Sequence, residues 1–349
     1  IGAAEVGRSE VRAVDGVSLL VKRGECLGLL GHNGAGKTTL ISLLVGRHGA
    51  DKDGGQAFVD GLPIGEEMDE IQRRIGVCSQ HDTLWPALTA EEHLRLFCRL
   101  RGMTGKQLKD EVKTLLAAVE LTSVAKKRTG TFSGGMQRRL SVAIAAVGRP
   151  AVLFLDEPTT GMDPVNRRSA WRMIERMKRR GDEGGFGCAI VLTTHSMAEA
   201  ERLSDRIAIM GNGRLVALGN ALHLKSRFGE GYRISVVSND VEALRLLVQT
   251  DELEAVREVA CDAGSLVLSV PRSAVDAMAN ILRVLEMEAA RSCAFEDGSR
   301  EKVVCEWSLS HATLEEVFLR LTDHSHFMKM DGEGGADSDG FTLRRRIEV

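Results

Sequence analysis

The feature that most constrains this chain is a glycine-rich segment that follows a short apolar run, Cys26 to Leu30. The segment is Gly31-His32-Asn33-Gly34-Ala35-Gly36-Lys37-Thr38, which fits the pattern G-x-x-x-x-G-K-[ST]. Glycines let backbone N–H groups turn inward around phosphate oxygens, and the N-terminus of a following helix adds partial positive charge. Lys37 can reach the β- and γ-phosphates of a nucleotide, and the Thr38 hydroxyl can bind Mg²⁺. The pattern therefore predicts a strand, a phosphate-binding loop and a helix.

Two carboxylates lie far downstream, at the end of a second apolar run. Val152 to Leu155 is uninterrupted, and Asp156 and Glu157 follow it. Runs of this kind suit central strands of a mostly parallel sheet, which are buried on both faces. Ligands of open α/β sheets bind at the carboxyl ends of the strands. Asp156 therefore suits Mg²⁺, through water or by direct contact, and Glu157 suits polarising the water that attacks a γ-phosphate.

A Ser-Gly-Gly sequence between these two elements predicts the start of a helix. Ser133 is a good N-cap, and Gly134 and Gly135 leave the first helical N–H groups uncovered. A helix that begins in this way can receive a second anion. An ordinary capped helix has the same features, so this motif alone does not decide between the two interpretations.

The net charge, the apolar runs and the spacing of the cysteines argue against several classes of protein. Lys and Arg total 46 against 49 Asp and Glu, a net charge of −3, which argues against nucleic-acid binding driven by bulk positive charge. No apolar run approaches the roughly 20 residues that cross a bilayer, and no signal peptide is recognisable. The seven cysteines form no C-x-x-C pair, which favours a reducing, intracellular compartment. Because the first residue is Ile1, we expect a piece of a longer chain.

Taken together, these motifs resemble the nucleotide-binding domain of ATP-binding cassette (ABC) transporters. The family's other motifs follow in order. Gln80, after the strand-like Ile75 to Cys78, resembles the glutamine loop, which touches Mg²⁺ and couples to the membrane domain. Thr160 to Asp163 resembles the loop that contacts the opposite subunit, and His195 resembles the switch histidine that senses the γ-phosphate.

The resemblance implies ATP and Mg²⁺ as cofactors and assigns a role to each motif residue. The catalytic residues would be Glu157, His195 and Gln80, and the metal-binding residues Thr38, Gln80 and Asp156. The residues that contact ATP would be Gly31, His32, Asn33, Gly34, Ala35, Gly36, Lys37, Thr38, Thr39, Ser133, Gly134 and Gly135.

The second part of the chain is similar to one subfamily in particular. His223 to Tyr232 and Thr313 to Leu319 look like the regulatory extension of the A subfamily, whose members move lipids. From residue 231 the pattern is β-α-β-β-α-β, the order of a ferredoxin-like unit. We therefore expect a nucleotide-binding domain over 1–230, a regulatory domain over 231–322 and a flexible tail or linker over 323–349.

The predicted fold class is α/β: a P-loop NTPase core of the ABC type with an inserted helical subdomain at about 83–147. A small α+β ferredoxin-like regulatory domain follows. The implied function is ATP binding and hydrolysis that powers lipid transport across or between the leaflets of a membrane. The chain would act at the cytoplasmic face, as part of an integral membrane transporter.

Two kinds of protein partner follow from the resemblance, namely the membrane-spanning domains of the transporter and a second nucleotide-binding domain. In the family's head-to-tail sandwich, ATP on the phosphate loop of one subunit is covered by Ser133 to Gly135 of the other. Two departures from the family pattern affect this site. Met136 replaces the usual Gln or Asn, and residues 1–14 lack the aromatic on which the family stacks adenine.

Two other functions deserve comparison. A soluble ABC ATPase in nucleic-acid repair or translation would show tandem cassettes or long coiled coils, whereas this chain shows one cassette and no heptads. A regulatory cassette that only binds ATP would have lost its catalytic acid or switch histidine, but Glu157 and His195 are both present. We therefore predict a hydrolysing transporter cassette without a nucleic-acid partner.

Overall fold

The structure is a computed structural model of the chain. It describes residues 12–49, 55–179, 186–229, 231–248, 256–262, 264–291, 303–322 and 346–348. The predicted tail, 323–349, lies outside the described residues apart from 346–348, as do residues 1–11 of the stretch without aromatics. The chain divides into two compact units, residues 1–221 with 327–349 and residues 222–326.

Strands and helices are interspersed along both units. In chain order, the strands are β1 Cys26–Leu30, β2 Gln56–Val59, β3 Leu62–Pro63, β4 Ile75–Cys78, β5 Val152–Asp156, β6 Ala189–Thr194, β7 Arg206–Gly211, β8 Arg214–Gly219, β9 Tyr232–Val237, β10 Arg257–Asp262, β11 Ser265–Val270, β12 Glu306–His311 and β13 Arg346–Glu348. The α-helices are α1 Lys37–Leu44, α2 Met68–Arg74, α3 Ala90–Leu100, α4 Gly105–Ala118, α5 Gly134–Ala145, α6 Pro164–Lys178, α7 Met197–Leu203, α8 Ala221–Phe228, α9 Val241–Val248, α10 Val275–Arg291 and α11 Leu314–Thr322.

A six-stranded sheet of order β4-β5-β6-β1-β7-β8 forms the centre of the first unit. Its first five strands pair in parallel, and β8 is antiparallel to β7. Successive side chains of a strand point to opposite faces, so a strand buried on both faces is apolar throughout. In β5, Leu153 and Leu155 belong to the core on one face, and Val152 and Phe154 to the core on the other. The predicted buried, mostly parallel strands are present.

Helices α3 to α5 cover one face of the sheet and lie in the predicted helical region, about 83–147. A capping box begins α3, because Glu92 N–H donates to Thr89 Oγ1 and Thr89 N–H donates to Glu92 Oε2. At the other end of α3, the Arg101 guanidinium donates to main-chain oxygens of Gln72, Arg73 and Ile75. These contacts attach the end of α3 to the segment that leads into β4.

The second unit contains an antiparallel sheet of order β10-β11-β9-β12. Its core includes Ile234 and Leu268 from the sheet and Ile281 and Leu285 from α10. The predicted order of elements, β-α-β-β-α-β, is present, and the classification of this unit as ferredoxin-like stays a prediction. Thr313 caps α11, because its Oγ1 accepts from Glu316 N–H.

Strands β2 and β3 are antiparallel, and β13 pairs in parallel with β2. Among the described helices, none has both the length and the hydropathy that crossing a bilayer requires.

Candidate nucleotide site

The predicted site residues meet at one edge of the central sheet. Because β4, β5, β6 and β1 are parallel neighbours, their carboxyl ends lie side by side. Gln80 follows β4, Glu157 follows β5, His195 follows β6 and the phosphate loop follows β1. Ligands of open α/β sheets bind at this edge, so the topology places the predicted residues where nucleotide chemistry is expected.

The phosphate loop joins β1 to α1 in a conformation that requires glycine. Gly36, directly before α1, has φ 96°, in the left-handed region. A Cβ at this position would also collide with the main-chain oxygen of Ala13. Among the described residues, no side chain caps α1. Its first N–H groups and its positive dipole end are therefore available to a phosphate.

Lys37 is buried at the start of α1, inside the loop that precedes it. Its Nζ donates to the main-chain oxygen of Gly31 at 2.6 Å and of His32 at 3.0 Å. Burial lowers the pKa of Lys37, and the negative charges of Glu157 and Asp156 oppose that shift. The loop thus holds the positively charged amine of Lys37 where the phosphates of a nucleotide would bind.

Asp156 is buried and accepts hydrogen bonds from hydroxyl groups on two other elements, α1 and β6. Its Oδ1 accepts from Thr193 Oγ1 at 2.5 Å and from Thr38 Oγ1 at 3.3 Å. The structure therefore brings together two of the three predicted metal-binding residues, Thr38 and Asp156. Gln80, the third, lies against Glu157, the next residue after Asp156.

This donor set fits Mg²⁺ as it binds to nucleotides. Mg²⁺ prefers oxygen ligands and usually keeps several waters, binding one or two carboxylates and the phosphates of its substrate. Within the described ranges, no group of three or more His, Cys, Asp or Glu side chains is arranged to hold a metal ion. One buried carboxylate beside a hydroxyl is thus suited to a cation that arrives with ATP.

Glu157 occupies a strained turn directly after β5. Its φ is 48°, a left-handed value that is uncommon outside glycine. Its N–H donates to Thr193 Oγ1 at 3.0 Å, and its side chain is only 12% exposed. The turn brings the carboxylate into contact with Gln80 and His195, which follow the two strands that flank β5.

Three side chains surround the Glu157 carboxylate. Gln80 Nε2 donates to Oε2 at 3.2 Å, and Thr160 Oγ1 donates to the same oxygen at 3.1 Å. His195 Nδ1 lies 3.3 Å from Oε1. The three predicted catalytic residues, Glu157, His195 and Gln80, are therefore in mutual contact through the carboxylate. A carboxylate held in this way can orient a water molecule and accept its proton.

The Ser-Gly-Gly motif lies at the start of α5, apart from this cluster. Ser133 is the predicted N-cap, with its Oγ accepting from Met136 N–H at 3.3 Å. Among the described residues, no hydrogen bond joins Ser133 to Gly135 with the phosphate loop. The side chain of Met136 is partly buried and packs against the core of the helical side.

Sequence reasoning missed two residues that shape the site. Thr193 supports both Asp156 and Glu157, and Arg138 donates to main-chain oxygens of both. A signal for Arg138 was available, since it lies four residues before Val142 and seven before Ala145, on the buried face of α5. A charged residue on such a face usually has several partners.

Comparison with known proteins agrees with this geometry. Residues 14–160 match the family model described as ABC transporter. ABC transporter A family member 5 of Arabidopsis thaliana is 41% identical over 319 residues, which are 90% of this chain and 32% of that protein. ATP-binding cassette sub-family A member 2 of Homo sapiens is 47% identical over 245 residues, 70% of this chain and 10% of that protein. The chain spans about a third or less of the length of these relatives.

A solved ATP-binding subunit of an ABC transporter is 30% identical to this chain, with a TM-score of 0.50, and the match covers 60% of this chain and 84% of that one. The fold and the phosphate-loop site define an ATP-hydrolysing enzyme with an α/β core. Within that class, the chain belongs to the ABC transporter family. The predictions of family, of α/β fold class and of ATP hydrolysis are confirmed.

Proposed function

We propose that the chain is the cassette that powers an A-type transporter of lipids. The observation that carries the catalytic part is the contact of the Glu157 carboxylate with Gln80 and His195, beside the phosphate loop. We infer that residues 1–230 form the ATP-hydrolysing domain, 231–322 a regulatory domain and 323–349 a tail.

In the proposed mechanism, residues Gly31 to Thr39 bind the phosphates of ATP and Lys37 stabilises their negative charge. Asp156 and Thr38 would hold Mg²⁺, which supplies charge neutralisation at the phosphate oxygens. Glu157 orients the attacking water and accepts its proton. Gln80 and His195 hold the carboxylate in place through the contacts described above.

A second copy of the cassette is proposed to complete the site. Support comes from the start of α5, where Ser133 and Gly134 are exposed and a Cβ at Gly134 would meet open space. The hydrogen bonds of Ser133 run within α5, so its exposed surface is free to contact the nucleotide of another chain. A head-to-tail pair would then share two ATP molecules.

The membrane-spanning domains are the second proposed partner, and a cavity beside β4 supports this. It has a volume of about 460 Å³ and is lined by apolar Val77, Phe97 and Leu100, together with Arg73 and Arg101. Leu100 is 71% exposed. Val77 belongs to β4, the strand that leads to Gln80, so a segment that docked here would contact the strand from which the glutamine extends.

The lipid substrate and the position at the cytoplasmic face rest on the resemblance to the A subfamily. The Arabidopsis and human relatives both carry A-family names, which supports that part of the proposal. The alternative, a soluble ATPase that acts on nucleic acid, gains no support from these relatives.

The test uses the full-length transporter that contains this segment, reconstituted in vesicles with a fluorescent phospholipid in one leaflet. We expect redistribution of the lipid that depends on Mg-ATP and is lost in Glu157→Gln. ATP hydrolysis without any ATP-dependent lipid movement would contradict the lipid assignment but leave the enzyme assignment intact.

A further inference from the structure

Arg138 lies in the second turn of α5, with its side chain only 6% exposed. Its guanidinium has five acceptors within hydrogen-bonding distance, four of them main-chain oxygens. These acceptors are the carbonyl oxygens of Ser79, Asp156, Glu157 and Pro158 and the Oδ1 atom of Asp82. A buried guanidinium that is fully engaged in this way fixes the relative positions of the segments it contacts.

Three of these acceptors belong to the turn that carries the catalytic carboxylate. Nη2 donates to Asp156 O at 2.5 Å and to Glu157 O at 3.0 Å, and Nε donates to Pro158 O at 3.1 Å. The left-handed φ of Glu157 costs free energy and persists only where the surroundings hold it. Arg138 donates to three consecutive carbonyl oxygens, and these hydrogen bonds hold the turn in this conformation.

The other two acceptors flank Gln80. Nη1 of Arg138 donates to the main-chain oxygen of Ser79, and it lies 3.1 Å from Asp82 Oδ1. Gln80 itself donates to the Glu157 carboxylate. One guanidinium therefore holds both the segment that carries the acid and the segment that carries its amide partner.

We propose that Arg138 is a positioning residue for ATP hydrolysis, which connects the start of α5 to Glu157 and Gln80. This inference rests on the proposed function, in which Glu157 accepts a proton and Ser133 to Gly135 contact the nucleotide of a second cassette. Arg138 lies five residues after Ser133 on the same helix. Displacement of α5 by the partner's nucleotide would therefore reach this chain's own catalytic turn through the guanidinium.

The chemistry requires arginine at this position. Lysine keeps the positive charge but has three donors on one nitrogen, which cannot reach acceptors on both segments at once. Arg138→Lys should thus leave the charge in place and release the turn. This substitution separates positioning from simple electrostatics.

Arg139 provides the matched control. It is the next residue of α5 and is also buried, but its Nη1 donates to the main-chain oxygen of Val119 at 3.1 Å and lies 3.7 Å from Glu120 Oε2. Neither of these partners belongs to the catalytic cluster. Arg139→Lys therefore makes the same chemical change on the same helix without touching the turn of Glu157.

The first measurement compares steady-state ATP hydrolysis by the full chain and by both variants. We expect Arg138→Lys to lower kcat at least tenfold and to change KM for ATP less than threefold, because the phosphate loop is untouched. Arg139→Lys should stay within twofold of the unsubstituted chain in both parameters. An unchanged kcat in Arg138→Lys, or a loss confined to KM, would overturn the inference.

The second measurement needs no catalysis and therefore separates this inference from the proposed function. Amide hydrogen exchange is followed by mass spectrometry in peptides that cover residues 76–84 and 153–162. Both peptides should exchange faster in Arg138→Lys and in Arg138→Gln than in Arg139→Lys. All other peptides should exchange at the same rate in the three variants. Equal exchange in all folded variants would overturn the positioning role, even in a chain that hydrolysed ATP. Absence of hydrolysis in the unsubstituted chain would instead contradict the proposed function.

Discussion

Gln80 Nε2 donates a hydrogen bond of 3.2 Å to Glu157 Oε2, although 77 positions separate the two residues in the chain. The contact exists because β4 and β5 are parallel neighbours, so the residues that follow them leave the sheet at the same edge. It links the segment that follows β4 to the proposed catalytic acid.

Removing the cation of the phosphate loop should weaken ATP binding itself. Lys37→Ala deletes the amine that is buried beside the loop, where a charge-assisted contact with phosphate is strong. We expect the Kd for ATP to rise at least tenfold, equivalent to about 1.4 kcal/mol of binding free energy. Isothermal titration calorimetry with Mg-ATP measures this directly, and an affinity equal to that of the unsubstituted chain would exclude the proposed pocket.

A methyl group at Gly134 should affect function without harming the fold. The position is the first residue of α5, and an added Cβ would meet no atom within 4 Å. Alanine is a better helix former, so the free energy of unfolding should stay equal or rise by up to about 1 kcal/mol. If the start of α5 covers the nucleotide of a second chain, the methyl group should obstruct that contact and lower kcat several-fold.

Chemical denaturation of Gly134→Ala measures its free energy of unfolding, and ATPase assays measure its kcat. Full activity in a variant of normal stability would argue against a role for this helix start in the site. Gly135 is a poorer choice for this test, since its Cβ would lie 3.0 Å from the side chain of Asn166.

Gly76 should tolerate no side chain, for a purely steric reason. It lies in β4, and a Cβ there would collide with the main-chain oxygen of Ala145 in α5 and approach Leu153 Cδ1 to 3.0 Å. We expect Gly76→Ala to lower the free energy of unfolding by about 1–3 kcal/mol or more. Gly49→Ala, where nothing lies within 4 Å, is the control and should change it by less than about 0.5 kcal/mol. Equal stability of the two variants in urea would contradict the close packing of β4 and α5.

His93 is a buried structural histidine, and its replacement should destabilise the chain. Its Nε2 accepts from Trp85 N–H at 2.9 Å, and its Nδ1 lies 2.8 Å from Thr89 O. His93→Leu leaves both main-chain groups without this partner, which should cost about 1–3 kcal/mol. His81→Leu, at an exposed position, serves as the control. Thermal unfolding of both variants tests this role. His93→Leu should melt at a lower temperature than His81→Leu, and equal melting temperatures would contradict it.

The strands and the motif residues at their ends were predictable because each depends on a local pattern. Cys26–Leu30 and Ile75–Cys78 form strands at the predicted bounds, since uninterrupted apolar runs suit a sheet covered on both faces. The phosphate loop was predictable because its glycines and its lysine are contiguous. Ser133 was recognisable as a cap from its residue type and from the two glycines that follow it.

The contacts that organise the site depend on tertiary placement and were not predictable in the same way. The order β4-β5-β6-β1 requires crossovers that no local pattern specifies. The five acceptors of Arg138 come from two separate segments, and the support of Asp156 by Thr193 depends on strand register. The lipid substrate, the partners and the site roles stay predictions.

We propose that a complete catalytic site needs two chains, each contributing a phosphate loop and the start of α5. Without membrane domains to hold partners together, assembly should follow mass action. Glu157→Gln keeps the shape of the side chain and the ATP contacts, but the amide cannot accept the proton, so the ATP-bound pair should accumulate.

The most direct test is light scattering on Glu157→Gln with and without Mg-ATP, beside ATPase assays of the unsubstituted chain across a hundredfold dilution. We expect a dimer that forms only with Mg-ATP and a specific activity that falls on dilution. A chain that stays monomeric in both conditions, with constant specific activity at every concentration, would contradict it.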